Sequence, residues 1–515
     1  MSRTENVKRN IRFGAIETVI SVLMPFVIRT ILIYKFGVEY LGLNSLFASI
    51  LNTLSLANLG FDTAITHSLY KPFAENDKEM ICALMNFYRK VFLCIGTGML
   101  VVGTVISAFL PHLVNFSQVP GNLNVYVCYF IFLSDTVISY LLYGYLATVP
   151  QAAQRRDIIS RVNIVTSLVQ CVLQCTMLAV MRNFYFYLVS MPLITALKNF
   201  IIAVYVKKQY PFIRPVGDID KNSKNAIFKK ARGIFLHNIV AQTRQGIDGM
   251  CISAFIGLAT TGIYMNYIHL ITALSTGTMM VCSSLTPSVG NSVVKESTEK
   301  NYRDMKIFDF MYVMFAGFIT VNLLCLVQPF ISIWIGKSYL IGLPEVIAIT
   351  FYFYQLRIGD IRWVYHQAVG LWWDTRFLSV AEACGNIVLN ILLCKYFGLM
   401  GIICATIITH FIFNYLANPF FLFHRYFKNG KVGEFFADHA KYAFTTALAC
   451  FIAFPLCQKI PSLEYISCKS VLYFLEKAVI GSGIYVILFF VLWRKTEKYL
   501  TAKKWIVEHI ADYSP

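Results

Sequence analysis

The chain has 515 residues, 57% of them hydrophobic and 14% charged, with a mean hydropathy of +0.61 and a formal net charge of +18. A soluble protein carries roughly a quarter charged residues, and one large core cannot absorb the deficit, because surface keeps growing with size. These figures exclude a soluble enzyme and make lipid the solvent for most of the surface; whether the net charge points to nucleic acid depends on where the basic residues lie.

A helix needs about 20 mainly apolar residues to cross the hydrocarbon. In chain order the runs that satisfy this are 13–34, 43–67, 87–110, 123–149, 158–181, 184–206, 233–256, 262–289, 307–329, 344–371, 377–394, 399–423, 438–457 and 471–493. They are continuously apolar, without the two-residue alternation of a β-barrel. The fourth, eighth and tenth are long enough to tilt, kink or extend beyond the bilayer, and Pro25 and Pro287 are expected kink points. The short basic N-terminus leads straight into further spans, so no cleavable signal is expected. Most of the 14 cysteines, such as Cys94, Cys128, Cys251, Cys282 and Cys404, sit inside apolar runs. They read as small hydrophobes, with neither a disulfide framework nor a metal site.

The loops test the count independently, because cytoplasmic loops are enriched in Lys and Arg. With the N-terminus inside, alternate segments carry 33 basic residues on the inner side and 6 on the outer side. The remaining 6 of the 45 fall within spans: Arg29, Lys198, Arg244, Arg357, Arg362 and Lys477. So uneven a split predicts an all-α polytopic membrane protein of about fourteen helices with both termini cytoplasmic. It also accounts for the basic charge through topology and attraction to anionic membrane lipids, with no nucleic acid involved.

A weak internal repeat organises these spans. Arg9 and Arg12 precede the first as Lys229 and Arg232 precede the seventh; Gly37-x4-Gly42 follows the first as Gly257-x4-Gly262 follows the seventh. Both matches have an offset of 220 residues. The expectation is a duplicated six-helix lobe (1–206 and 233–424) around a central cavity, joined by a basic cytoplasmic linker, 207–232. Two further helices and a basic tail, 425–515, complete the chain. Each lobe has an even number of spans, so the repeat is parallel, as in the halves of some alternating-access transporters.

Ionisable groups in hydrocarbon cost at least about 2.5 kcal/mol each and persist where they face a wet cavity or a partner. Arg244 and Asp248, four apart, share one face of the seventh helix. Arg357, Asp360 and Arg362 cluster in the tenth, Arg29 and Glu17 lie in the first, and Asp62 lies late in the second. One reading makes Arg244–Asp248 a structural ion pair and lets Arg29 snorkel outward. The functional reading is a cavity in which guanidinium groups bind phosphate through charge-assisted hydrogen bonds. Asn44, Asn58, Gln242, Asn266 and His269 are candidates for sugar contacts, or for gluing helices together. Gly336-Lys337-Ser338 resembles the end of a phosphate-binding loop, but Ile331 stands where the first glycine is required. With no ATPase domain and only short external loops, an enzyme is not expected. No cofactor is called for, and H+ or Na+ is the candidate coupling ion.

The segments YLGLNSLFASIL from Tyr40, LANLGFD from Leu56, YKPFAENDKEMICALMNFYRK from Tyr70 and GLWWDTRF from Gly370 resemble bacterial polysaccharide-biosynthesis flippases of the multidrug/oligosaccharidyl-lipid/polysaccharide exporter superfamily. The resemblance runs through essentially the whole chain. It implies alternating access that carries an undecaprenyl-pyrophosphate-linked oligosaccharide repeat unit across the bacterial inner membrane, with a polysaccharide polymerase or assembly machinery as partner. Cationic cavity residues of the relatives map, by helix position, onto Arg29, Arg244 and Arg357 or Arg362. Where that family carries a basic-acidic-Ala triplet, this chain has His366, Gln367 and Ala368. The departure bears on substrate choice or ion coupling, with His366 as a pH-sensitive cation or a neutral hydrogen-bonding group. An ion-coupled drug antiporter of the same superfamily is the main alternative, and a membrane polymerase or transferase a third.

Overall fold

A computed structural model describes residues 3–55, 61–428 and 430–511. The regular structure among them is helical. In chain order the helices are α1 (Arg3–Phe36), α2 (Val38–Leu54), α3 (Phe61–Glu75), α4 (Lys78–Ser107), α5 (Leu110–Leu113), α6 (Val125–Leu141), α7 (Thr148–Ala152), α8 (Arg156–Thr176), α9 (Phe184–Gln209) and α10 (Lys221–Phe255). They continue with α11 (Leu258–Lys295), α12 (Thr298–Trp334), α13 (Leu343–Arg357), α14 (Asp360–Val369), α15 (Arg376–Thr409), α16 (Asn418–Arg425), α17 (Val432–Gln458), α18 (Cys468–Trp493) and α19 (Glu497–Ala511). Eight residues of π-helix, His410–Ala417, join α15 to α16.

A helix or pair of helices covers each predicted span. Among the described residues, nine helices are long and apolar enough to cross a membrane by themselves. A tenth is added if Val125–Leu141 and Gly144–Ala152, bent by 57°, form one span. One of the nine, Arg376–Arg425, takes in both the eleventh and the twelfth predicted spans, and the second, seventh and tenth predicted spans are not among them. The second holds α2 and α3, with 56–60, Asn58 among them, outside the described residues, and the tenth breaks between Arg357 and Asp360. Within the predicted linker only 210–220 is non-helical. There Asp220 caps α10 by accepting from the amides of Asn222 and Ser223, both at 3.0 Å. Hydrogen bonds from Ser223 hold the Asp220 carboxyl below the usual carboxylate range.

By internal packing the chain divides into two compact units, Met1–Gly262 and Ile263–Pro515. In the first, α1 lies along α8, α6 packs between α4 and α9, and α2 rests on α10. Asp157, in the first turn of α8, is fully buried and gathers Arg9 (3.2 Å), Arg155 (3.0 Å) and Arg161 (3.6 Å). Its hydrogen bond holds the Arg155 guanidinium above its ordinary range. Asn10 accepts from the Asp157 amide at 2.8 Å and donates to the Gln154 carbonyl at 3.1 Å. The basic start of α1 is thereby anchored.

The 220-residue repeat is visible as geometry inside this unit. Helices α2 and α11 begin at Val38 and Leu258, each after a glycine with positive φ: Gly37 at 104° and Gly257 at 133°. Only glycine adopts such angles readily. The next glycines cross reciprocally. A Cβ on Gly42 would lie 1.9 Å from the Leu258 carbonyl oxygen, and one on Gly262 would lie 2.7 Å from the Val38 carbonyl oxygen. Each repeat's glycine therefore seats the other repeat's helix start, an approach only small residues permit.

In the second unit α12 is the spine, packed against α13, α14, α17, α18 and α19. Ala449 and Ala453 of α17 let Val321, Cys325 and Tyr485 close over them. Gly398, with φ 55° and ψ −132°, interrupts α15, and the chain folds back so that Asn386 donates to Thr406 Oγ1 at 3.0 Å.

Gly42→Val and Gly262→Val should each cost about 1–3 kcal/mol by overpacking, read as a lower unfolding midpoint of the detergent-purified protein. Gly14→Ala, whose Cβ would meet nothing within 4 Å, should change it by no more than about 1 kcal/mol.

Candidate functional site: buried charge in each unit

The first unit holds five of the predicted residues. Arg29 of α1, half-buried, donates through Nη2 to Ser45 Oγ of α2 at 3.5 Å. Beside Ser45 on α2, Asn44 accepts from the Tyr187 hydroxyl of α9 at 3.1 Å. Glu17 accepts from Asn163 of α8 at 2.6 Å, and Asp62 accepts from the Tyr88 hydroxyl of α4. Arg244 is half-buried and Asp248 buried on α10. Between them Gly246 presses that helix against Ser49 and Thr53 of α2. The side chain of Gln242 lies outside the described residues.

The second unit holds the other four. Arg357, at the end of α13, pairs with Asp360, at the start of α14, at 3.0 Å, and donates to Thr278 Oγ1 of α11 at 3.3 Å. The Tyr312 hydroxyl donates to the same carboxylate oxygen, Asp360 Oδ2, at 2.5 Å. Three residues apart, the cation and the anion share a face and meet across the junction of α13 and α14. Arg362 lies deeper, 2% exposed. Its guanidinium forks onto Asn414 of the π-helical turn, 2.9 Å to the carbonyl oxygen and 2.7 Å to Oδ1. Asp360, Asp309 and Glu382 all act on it electrostatically. Two buried arginines are thus balanced by carboxylates from α12, α14 and α15, as burial of charge requires.

His366 is held near the end of α14. It is buried, bonded to Thr375 Oγ1 at 3.1 Å and stacked on Trp363 at 4.9 Å, with Trp372 edge-on. It closes the turn at Gly370, whose amide bonds to the His366 carbonyl at 3.2 Å. Of the weaker candidates, Asn266 is fully buried, and Lys337 of the false phosphate loop pairs with Glu464 at 3.6 Å.

Sequence reasoning missed Asp309, Glu382, Asn414 and His439. Glu382, Asn386 and Asn390 recur at i, i+4 and i+8 in an apolar run and are all buried, a stripe the spacing alone discloses. Asp309 and His439 fall at the edges of predicted spans, where a polar residue draws no notice.

Removing the carboxylate from beneath Arg357 should be costly. Asp360→Asn should lower stability by about 3–5 kcal/mol, because it strands a buried cation. Adding Arg357→Gln should recover most of the loss, as read by thermal unfolding of the purified variants.

No family model and no curated protein matches the chain. Solved structures do. The lipid II flippase MurJ in an inward closed conformation aligns with a TM-score of 0.67 at 15% identity, covering 94% of this chain and 99% of that one. An inward-facing multidrug-resistance MATE transporter of the MOP superfamily gives 0.63 at 10% identity, covering 76% and 92%. A mutant of the Vibrio cholerae MATE transporter VcmN gives 0.56 at 13% identity, covering 81% and 96%. The chain is a multi-pass, all-helical membrane protein with the fold shared by these flippase and multidrug-transporter structures.

Proposed function

We propose that this protein is a flippase that carries an undecaprenyl-pyrophosphate-linked oligosaccharide repeat unit across the bacterial inner membrane for surface polysaccharide assembly. The observation that carries the reading is the alignment with a lipid II flippase over nearly the full length of both chains, where the multidrug transporter leaves about a quarter of this chain unmatched. Half-buried arginines in the first unit and buried ones in the second support it, since a pyrophosphate needs bidentate cationic donors.

In this reading fourteen spans form two six-helix lobes (1–206 and 233–424) facing a central cavity, with both termini cytoplasmic. Arg29 from the first lobe and Arg244, Asp248, Arg357, Asp360 and Arg362 from the second line it. Pyrophosphate oxygens compete with Asp360 for the Arg357 guanidinium, so substrate binding releases the α13–α14 corner. The prenyl tail stays in lipid beside α17 and α18. Rocking of the lobes, driven by H+ or Na+ or by the substrate's own gradient, exposes the sugar outside, where a polymerase or assembly machinery takes it over. No bond in the cargo is broken, so the protein is not an enzyme, and Glu17, Asp62 and His366 are auxiliary contacts for ion or sugar.

The likeness to multidrug transporters favours one competing reading, an ion-coupled drug antiporter. Measuring the lipid-linked saccharide pool and its sidedness in cells lacking the protein separates the two. Complete repeat units should accumulate on the cytoplasmic face. An unchanged pool together with new drug sensitivity selects the antiporter. Arg244→Ala should abolish surface polysaccharide while leaving protein abundance near normal; loss of the protein itself would make Arg244 structural.

A further inference from the structure

The second unit contains a buried titratable pair that the charged cluster around Arg357 does not use. Asp309 of α12 and His439 of α17 are 130 residues apart in sequence and meet at 2.7 Å, Nε2 to Oδ2. Their side chains are 7% and 1% exposed. The imidazole lies 4.0 Å from the Phe435 ring and is stacked on Tyr415 at 5.8 Å, with Tyr442 also at 5.8 Å. Two atoms of the pair, Asp309 Oδ1 and His439 Nδ1, are buried with no hydrogen-bond partner among the described residues. Buried polar atoms are rarely left so, and here two of them belong to one pair.

The pair is not sealed off. A cleft lined by Tyr302, Met305, Lys306, Asp438 and Tyr442 runs to Asp309. At its mouth Lys306 pairs with Glu434 at 2.5 Å and Lys498 of α19 pairs with Asp438, all four side chains partly exposed. These pairs cancel in charge, so the rim of the cleft is polar but electrically neutral. The other titratable groups acting on Asp309 or in contact with the imidazole are Arg362 from α14, Tyr354 from α13, Tyr415 from the π-helical turn and Cys282 from α11. Arg362 is the one permanent cation of that inner set.

We propose that Asp309 and His439 form a proton-binding site between α12 and α17. With Asp309 ionised beside Arg362, the neutral imidazole donates its Nε2 hydrogen to the carboxylate. That tautomer leaves the Nδ1 lone pair bare, and a proton arriving from water through the cleft settles there. Imidazole is the side chain suited to such a change near neutral pH. The imidazolium then shares the Asp309 charge that had compensated Arg362. Proton occupancy at the α12–α17 contact is thereby felt by the arginine that grips Asn414 of the π-helical turn. The site supplies a location for the H+ coupling named in the functional proposal, but its existence does not depend on what the protein carries.

The test uses full-length protein in nanodiscs with ring-nitrogen-labelled histidine, followed by nuclear magnetic resonance from pH 8 to pH 5. The chain has nine histidines, and the signal missing from His439→Gln identifies the one of interest. If that variant does not fold, Tyr415→Leu makes the same assignment by removing the ring stacked on the imidazole. The expected result is a His439 signal that passes from the neutral to the charged signature across this range and does so at a different pH in Asp309→Asn. A His439 ring that keeps one protonation state throughout, while other histidine signals move, overturns the proposal. So does a titration indifferent to Asp309→Asn. Neither result bears on the saccharide pool, so this site and the flippase reading stand or fall separately.

Discussion

Hydrocarbon offers no hydrogen bonds, and every polar group carried into it must bring its own partner. That constraint orders most of what this molecule displays. It keeps the backbone of the apolar spans helical. It also explains why the deep cations have such specific company. Arg357 has Asp360 and Thr278, and Arg362 has both acceptors of one asparagine. Even the fully buried Asp157, near a helix start, is ringed by three arginines.

Without a hydrophobic force to drive helix against helix, association in lipid rests on close fit and on polar glue. Both occur here in separate places. Glycine supplies the fit where α2 crosses the start of α11, and alanine supplies it where α17 meets α12. Polar glue holds the α15 hairpin, in which Asn386, Asn390 and Thr406 are all buried. The glycine crossing is also the one place where the internal repeat expresses itself as a symmetric contact, each copy presenting to the other a carbonyl and the gap that receives it.

Much of this was legible before any coordinates. The apolar runs located the helices, and the 220-residue offset marked the two glycine pairs that meet. The grouping of Arg357 with Asp360 followed from their spacing. Other features were hidden for physical reasons. The length of the tenth run left room for a kink, but nothing in the sequence around Ile358 and Gly359 placed the break between α13 and α14 there. Asn414 is 52 residues from the arginine it holds, and His439 is 130 from its aspartate. Partners so distant are a property of packing, which periodicity along one helix cannot express. Asp309 and His439 also stand at the ends of their apolar runs, where a charge is ordinary.

The π-helical turn His410–Ala417 has a consequence of its own. A π-turn carries one residue more than the α-turn it replaces, so this stretch stores a surplus residue within an otherwise regular ladder. Passing that surplus along the helix would rotate the side chains it crosses by about 100°, the angle one residue subtends in an α-helix. Arg362 grips the stretch at its middle residue, through the carbonyl oxygen and the side chain of Asn414. The guanidinium therefore acts as a pawl on a rack: while it holds Asn414 the register of everything from there to α16 is set, and letting go frees a screw motion rather than a hinge.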